Sequence, residues 1–350
     1  MSNNQFHNDF KINGRSFSSV AHLLTYSKVL SVPIHNFLQD WFSKKKVVEV
    51  KTSGSTGTPK IIQLQKEFMK NSAKATGQFF ELSKNTTALL CMPTEYIAGK
   101  MMLVRALELG WHLDIVKPSS NPLQNVNKVY DFSAMVPMQL QDSLDNIEKV
   151  KKLIVGGGVV SKELEKQMQF ISTEVFATYG MTETITHIAV KRLNHFNNNT
   201  SSGVENSLYA VLPDITISSD DRNCLVINAP RVSDIEIVTN DVIEMISETE
   251  FKWLGRFDNV INSGGVKLHP EEIEKKLFEK ISQRFFVAGV TDILLGEKLI
   301  LIIEGKATTI SLDKFEHLSK YEIPKETYFL EKFVETATGK VQRDKTINLL

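Results

Sequence analysis

The feature that most limits how this chain can fold is an alternation, between about residues 87 and 178, of short apolar runs with longer stretches of helical period. The runs at 88–92, 113–116, 132–136 and 153–155 are rich in β-branched, aromatic and aliphatic residues and read as strands. Residues 99–109 and 138–147 carry apolar side chains at helical spacing, and Ser161 is placed to cap a helix running to residue 171. Each such helix must bury its apolar stripe against a sheet, and crossovers of this kind join parallel strands. The centre of the chain is therefore expected to be a mostly parallel sheet covered on both faces.

The pattern changes downstream. Residues 194–202 are rich in Asn, Ser and Thr and read as a solvent-exposed loop, and 208–217 and 224–227 read as antiparallel strands. Helical spacing returns at His269-Pro270-Glu271-Glu272, which puts proline and acids where a first turn favours them, and Ile273, Leu277 and Ile281 then recur on one face. Strands at 285–290 and 299–303 follow, then a polar tail. The expected fold class is a large α/β domain, 1–257, with a mostly parallel sheet plus antiparallel strands, followed by a small mobile α+β domain, 258–350.

Composition removes several function classes. Lys plus Arg and Asp plus Glu both number 41, so no global field draws the chain to nucleic acid or to an anionic membrane, and any anion site must be local. The 2 cysteines, Cys91 and Cys224, form no zinc or redox pattern, which fits a reduced, cytoplasmic setting. Residues 1–15 are polar where a signal peptide would be apolar, and no run of about 18 apolar residues occurs. No membrane insertion is expected, and homo-oligomerisation stays open.

The strongest chemical signal is Thr52-Ser53-Gly54-Ser55-Thr56-Gly57-Thr58-Pro59-Lys60, directly after the strand-like 47–50. Glycines allow a tight backbone, hydroxyls and free N–H groups can bond phosphate oxygens, and Lys60 adds positive charge. The spacing is not that of the Walker loop. A Ser/Gly/Thr linker is the competing reading, but linkers seldom end in Thr-Pro-Lys beside a strand.

This nonapeptide resembles the phosphate loop of the adenylate-forming enzymes, the superfamily of acyl-CoA synthetases, luciferases and peptide-synthetase adenylation domains. Further blocks follow in that family's order. Gly156-Gly157-Gly158 resembles the segment against the adenine. Tyr179-Gly180-Met181-Thr182-Glu183-Thr184 resembles the block whose aromatic stacks on adenine, whose threonine (Thr182) meets the α-phosphate and whose glutamate (Glu183) helps hold magnesium. Thr239-Asn240-Asp241 resembles the Thr-Gly-Asp whose aspartate grips the ribose, and Gly255-Arg256-Phe257-Asp258 the turn in which Arg256 reaches the ribose and Asp258 is the interdomain hinge. Asn262-Ser263-Gly264-Gly265-Val266-Lys267 resembles the loop that lines the pantetheine path, so Gly264, Gly265 and Lys267 are assigned to the thiol-transfer step. Thr338-Gly339-Lys340-Val341-Gln342-Arg343 resembles the block carrying the adenylation lysine, Lys340.

The resemblance implies an ATP- and Mg2+-dependent acid:CoA ligase: a carboxylic acid and ATP give acyl-AMP and pyrophosphate, and coenzyme A then takes the acyl group. The attacking carboxylate is already ionised at neutral pH, so the first step needs no general base. It needs cations and donors against the charge developing on phosphorus, which Lys340, Thr182 and magnesium at Glu183 would supply.

Two departures bear on the acid. Only 51 residues precede Thr52, where the family usually has a much longer stretch, so the resemblance implies an N-terminally shortened adenylate-forming fold, and a smaller or more open pocket is expected. Tyr96, in Met92-Pro93-Thr94-Glu95-Tyr96, stands where the family places a residue that gates the acyl pocket, and gating and core packing both stay open for it. The stretch 182–189 and the short length resemble the o-succinylbenzoate:CoA ligases of menaquinone biosynthesis. Such an acid carries a second carboxylate, for which Thr186, His187 and Arg105 are the candidate partners. A ligase for another aryl or short-chain acid, a stand-alone domain loading a carrier-protein thiol, and an inactive AMP-binding relative are the alternatives.

Overall fold

In the computed structural model, which describes residues 5–51, 61–195, 208–335 and 341–350, the expected alternation forms the centre of a 13-stranded sheet. Strands His112–Ile115, Thr87–Leu90, Tyr130–Met135, Val150–Val155 and Glu174–Gly180 lie side by side and run parallel. Ala88, Leu89 and Leu90 are all buried although successive side chains point to opposite faces, so both faces are covered. One covering helix, Ile97–Leu109, is buried at every position from 99 to 107 and packs against helix Lys66–Phe79. It ends where Gly110 takes a left-handed φ of 71° and donates its N–H to the Ala106 carbonyl, the usual glycine stop.

Past Glu174–Gly180 the sheet turns antiparallel through His187–Arg192, Leu208–Val211, Glu250–Arg256, Ile237–Ser247, Cys224–Asn228 and Thr216–Ser219. The run expected as one strand at 208–217 is thus two strands at separate places in the sheet. Pro213 and the positive φ of Asp214, 63°, separate them. At the opposite edge Lys11–Ile12 pairs parallel to His112–Ile115, and helices Val20–Ser27 and Val32–Trp41 follow, capped by Ser19 and Ser31. Strands Val47–Lys51 and Ile61–Gln65, which flank 52–60 in sequence, pair antiparallel with each other.

The larger sheet ends at Arg256, and a second sheet of 5 strands begins at Ile261. Its strands Phe285–Asp292 and Gly296–Glu304 bury both faces. Leu299, Leu301 and Ile303 join Ile273 and Leu277 of helix Pro270–Leu277 in one cluster, while Ile300 and Ile302 join Phe286 and Phe333 in another. The expected polar tail is not one. Glu326–Leu330 pairs parallel to Gly296–Glu304, and Val341 and Ile347, the latter on helix Arg343–Ile347, pack on the second cluster. Apolar residues spaced singly among polar ones carried too little periodicity to read.

The expected loop at 194–202 also needs correction at its start. Asn194 is fully buried: its amide oxygen accepts from the Val175 N–H at 2.9 Å and its amide nitrogen donates to the carbonyls of Met168 and Thr173. A side-chain amide that closes backbone groups at a strand end is part of the core, whatever its polarity. Residues 196–202 lie outside the described residues.

Candidate active site

Open α/β sheets hold ligands at the carboxyl ends of their strands, and two of the sequence blocks sit at neighbouring ends here. Val150–Val155 runs into Gly156, Gly157 and Gly158, and beside it Glu174–Gly180 ends in Tyr179 and Gly180. Thr178 donates its hydroxyl to the Val155 carbonyl at 3.1 Å, and a Cβ on Gly156 would stand 2.5 Å from that hydroxyl. Gly180 is more constrained, since a Cβ there would lie 2.2 Å from the Thr186 carbonyl oxygen. That approach lets the turn Thr182–Thr184 fold back, with the Thr184 hydroxyl accepting from the Met181 N–H at 3.0 Å. Thr182 is left half-buried and Glu183 exposed.

Asp241 is buried and is the centre of a cluster. The Tyr179 hydroxyl donates to its Oδ2 at 2.6 Å, the Trp253 indole donates to Oδ1 at 3.2 Å, and the Arg256 guanidinium lies 3.5 Å from Oδ1. Burial first, and the Asp241 charge second, push the Tyr179 phenol far above its ordinary pKa, so it is a donor at any working pH. Its ring packs edge-on against Phe251 and Tyr209. Arg256 also reaches the exposed Asp258, 3.4 Å away. The fold therefore gathers Tyr179, Asp241, Arg256 and Asp258, which lie far apart in sequence. Sequence reasoning missed Trp253 and Arg222. Arg222 holds the Thr239-Asn240-Asp241 block, donating to the Thr239 carbonyl at 3.1 Å and to Asn240 Oδ1 at 2.9 Å. Trp253 could have been found from strand alternation, since Phe251 and Trp253 alternate with Glu250 and Lys252.

The residues proposed for the acid form a second cluster. Arg105 is 1% exposed, and among the described residues no carboxylate pairs with it. Its Nε donates to the Thr76 hydroxyl at 3.3 Å, one Nη makes a long contact with the Met102 sulfur, and the other lies 3.5 Å from His187 Nδ1. Burial pulls its pKa down to about 9, which leaves it protonated at neutral pH. His187 is buried, and burial together with the Arg105 charge holds its pKa well below the ordinary 6.5, so the ring is neutral. A guanidinium only donates, so Nδ1 accepts and Nε2 carries the proton; Nε2 is buried with no partner among the described residues. Thr186, half-buried, has its hydroxyl 3.5 Å from the same Nδ1. Tyr96 precedes helix Ile97–Leu109 and is 47% exposed, which removes the core-packing reading.

The neutral His187 gives a measurable pH effect. Its folded pKa is depressed, so as pH falls through about 6.5 the unfolded chain binds a proton that the folded chain refuses, and stability is lost toward acid. One such group contributes a slope of at most about 1.4 kcal/mol per pH unit. His112 and His269 shift the same way, so the comparison is with His187→Gln. The variant should lose less stability than wild type between pH 6.5 and 5 in urea titrations; parallel curves would mean that the ring takes up its proton without cost.

Gly264, Gly265 and Lys267 lie in the hairpin formed by Ile261–Ser263 and Val266–Leu268. A Cβ on Gly265 would meet nothing within 4 Å, and one on Gly264 would meet only Leu295, so the hairpin tip faces open space. Thr52, Ser53, Gly54, Ser55, Thr56, Gly57, Thr58, Lys60 and Lys340 lie outside the described residues.

The AMP-binding enzyme family matches this chain over residues 52–215. A solved acyl-CoA synthetase (AMP-forming)/AMP-acid ligase II-like protein from Dyadobacter fermentans is 36% identical, over 90% of this chain and 93% of that one, with a TM-score of 0.61. The chain belongs to the adenylate-forming AMP-binding enzymes, and within them to the AMP-forming acyl-CoA synthetases. Its activity is that of an acid:CoA ligase. More distant relatives are the 2-succinylbenzoate–CoA ligases of Lactococcus lactis, 25% identical over 87% of this chain and 71% of that protein, and of Staphylococcus epidermidis, 26% over 84% and 68%. The Bacillus subtilis O-succinylbenzoate coenzyme A synthetase in complex with ATP and magnesium shares the fold, with a TM-score of 0.73 at 21% identity over 85% of this chain and 69% of that one.

Proposed function

We propose that this enzyme activates o-succinylbenzoate, or an acid of the same dicarboxylate class, as the acyl-adenylate and passes it to coenzyme A in menaquinone biosynthesis. The observation that carries the acid is Arg105, a buried guanidinium with no carboxylate partner among the described residues, beside a His187 whose Nε2 proton is unsatisfied. Together they offer an anion two kinds of donor in a dry place, and a buried cation is retained at such cost where something pairs with it. The relatives named for 2-succinylbenzoate support the same reading.

On the nucleotide side, Tyr179, Gly156 and the glycines after it offer a surface for adenine, Asp241 and Arg256 hydrogen bonds for ribose, and Thr182 and residues 52–60 donors for phosphate. Exposed Glu183 has no partner among the described residues, which fits a magnesium ion held by one carboxylate and the substrate phosphates. Magnesium there would neutralise charge on the phosphates. Lys340 supplies a cation for the first transition state, Asp258 serves as the hinge between 1–257 and 258–350, and Gly264, Gly265 and Lys267 line the thiol path in the second step. No helix among the described residues is long and apolar enough to cross a membrane, consistent with a cytoplasmic enzyme.

The test is a panel of acids with ATP, Mg2+ and CoA, read as thioester mass together with AMP and pyrophosphate. o-Succinylbenzoate should give the highest kcat/KM. A higher value for benzoate or acetate would overturn the acid, and transfer to a carrier protein in preference to CoA would overturn the acceptor.

A further inference from the structure

The strand order puts a ligand crevice at one place in the larger sheet. Thr87–Leu90 lies between His112–Ile115 and Tyr130–Met135. The chain leaves it through helix Ile97–Leu109 to His112–Ile115 on one side, then crosses back to Tyr130–Met135 on the other. Where successive connections part in this way, a crevice opens outside the carboxyl ends of the two strands, and open α/β sheets bind ligands there. Residues 91–96 follow Thr87–Leu90 directly and form one wall of it. That wall is held at both ends. Buried Gln139, on helix Pro137–Ser143 beyond the other strand, donates to the Cys91 carbonyl at 3.0 Å. At the far end stands Lys100, 8% exposed, whose Nζ donates to the carbonyls of Thr94 at 2.7 Å and Glu95 at 2.9 Å. The same Nζ lies 5.8 Å from the centre of the Phe37 ring, on helix Val32–Trp41, so the three N–H groups of the ammonium meet two carbonyls and one aromatic face. Gly99 lets the loop come this close, since a Cβ there would stand 2.3 Å from the Pro93 carbonyl oxygen.

We propose that Lys100 is a positioning residue for the acid: it fixes residues 93–96 beside the crevice and thereby sets which acids are adenylated. The inference rests on the acid occupying that crevice. Gly156 and Tyr179 stand at the ends of strands one and two places further along the same edge, so an acid there has the nucleotide residues beside it. Arg105 lies on the same helix as Lys100. A lysine on a helix ordinarily keeps its ammonium in water. Burial instead holds the pKa of Lys100 below the ordinary 10.5, against the pull of Glu95 and Asp40. A cation kept at that cost is retained for the backbone it orders, and here the ordered backbone ends at the 47% exposed Tyr96.

Lys100→Met keeps the length of the side chain and removes its donors. ATP–pyrophosphate exchange is followed on the full chain with the panel of acids, and ATP affinity is measured by calorimetry without acid. For the acid that the wild type uses best, kcat/KM should fall roughly ten- to 100-fold through a higher KM for the acid, the scale on which a misplaced positioning group acts. The poorer acids should lose much less, and ATP affinity should stay the same. Phe37→Leu leaves Lys100 its two carbonyls and removes only the ring, so the same preference should weaken by roughly two- to fivefold, the worth of one cation–π contact. That variant carries the test if Lys100→Met does not fold. An unchanged preference among acids in the folded variants, or an equal loss on every acid together with a lower melting temperature, would show that Lys100 only holds the fold together and would overturn the proposal. If the wild type prefers an acid other than o-succinylbenzoate, the proposed acid fails, while this comparison within one panel still decides the role of Lys100.

Discussion

Lys340→Ala is expected to slow acyl-adenylate formation by roughly 100- to 1,000-fold or more, the range measured when a single donor to a developing charge is removed. The reasoning is electrostatic. A carboxylate and a triphosphate approach each other as like charges, and a positive group already in position lowers the barrier without reorganising at the moment of reaction. The second half-reaction provides the internal control. Chemically made acyl-adenylate bypasses the first transition state, and with CoA the variant should form thioester at close to the wild-type rate, because the proposed turn about Asp258 that presents the thiol loop would carry Lys340 away. Measuring the two steps separately therefore distinguishes a missing charge from a damaged fold, which would depress both. Full adenylation activity in a well-folded Lys340→Ala protein would mean that the block at 338–343 has been wrongly matched.

What the sequence conveyed and what it withheld follow from the range of the interactions. The parallel strands and the helix Ile97–Leu109 were legible because strand period, helix period and glycine stops are local, and a sheet buried on both faces repeats its signature strand after strand. Tyr179, Asp241 and Arg256 were legible only as matches to family blocks. That Tyr179 bonds Asp241 through a 2.6 Å contact depends on how Ile237–Ser247 and Glu250–Arg256 lie across the sheet, which no local pattern encodes. Asn194 misled because polarity signals exposure only when the amide has no backbone to satisfy, and here it satisfies several. The helices Val20–Ser27 and Val32–Trp41 went unassigned although both have serine N-caps, since a short helix gives few turns over which a period can be counted. Contacts between the larger sheet with its helices and the segment after Ile261 were wholly illegible: a Cβ on Gly255 would stand 2.3 Å from Glu271 Oε2, and Lys166 pairs with Glu279 at 2.8 Å, neither of which a local pattern encodes.

Arg105 gives the other large effect, and there function and stability are expected to move in opposite directions. A guanidinium has five N–H donors, and around Arg105 they find one hydroxyl, one thioether and one imidazole nitrogen, all at 3.3 Å or longer, in a place with almost no water. Such a charge costs the fold, and replacing buried charge by a well-packed apolar group is often neutral or stabilising by about 1–4 kcal/mol. Arg105→Met, similar in length and apolar, should therefore keep or raise the melting temperature of the free enzyme. Catalysis should fall. If Arg105 pairs with the carboxylate that is not activated, its loss leaves that anion buried without a partner, a penalty of about 2–5 kcal/mol. In kcat/KM for o-succinylbenzoate that is a loss on the order of 100-fold, with Arg105→Lys intermediate because it keeps the charge and loses the fork. The half-ester in which the same carboxylate is masked provides the decisive comparison: the wild type should handle it poorly, and Arg105→Met should handle it about as well as or better than the wild type does, because no buried anion then needs a cation. A variant that melts many degrees lower while treating diacid and half-ester with unchanged preference would show that Arg105 serves the packing of helices Lys66–Phe79 and Ile97–Leu109, and the acid pocket would have to be sought elsewhere.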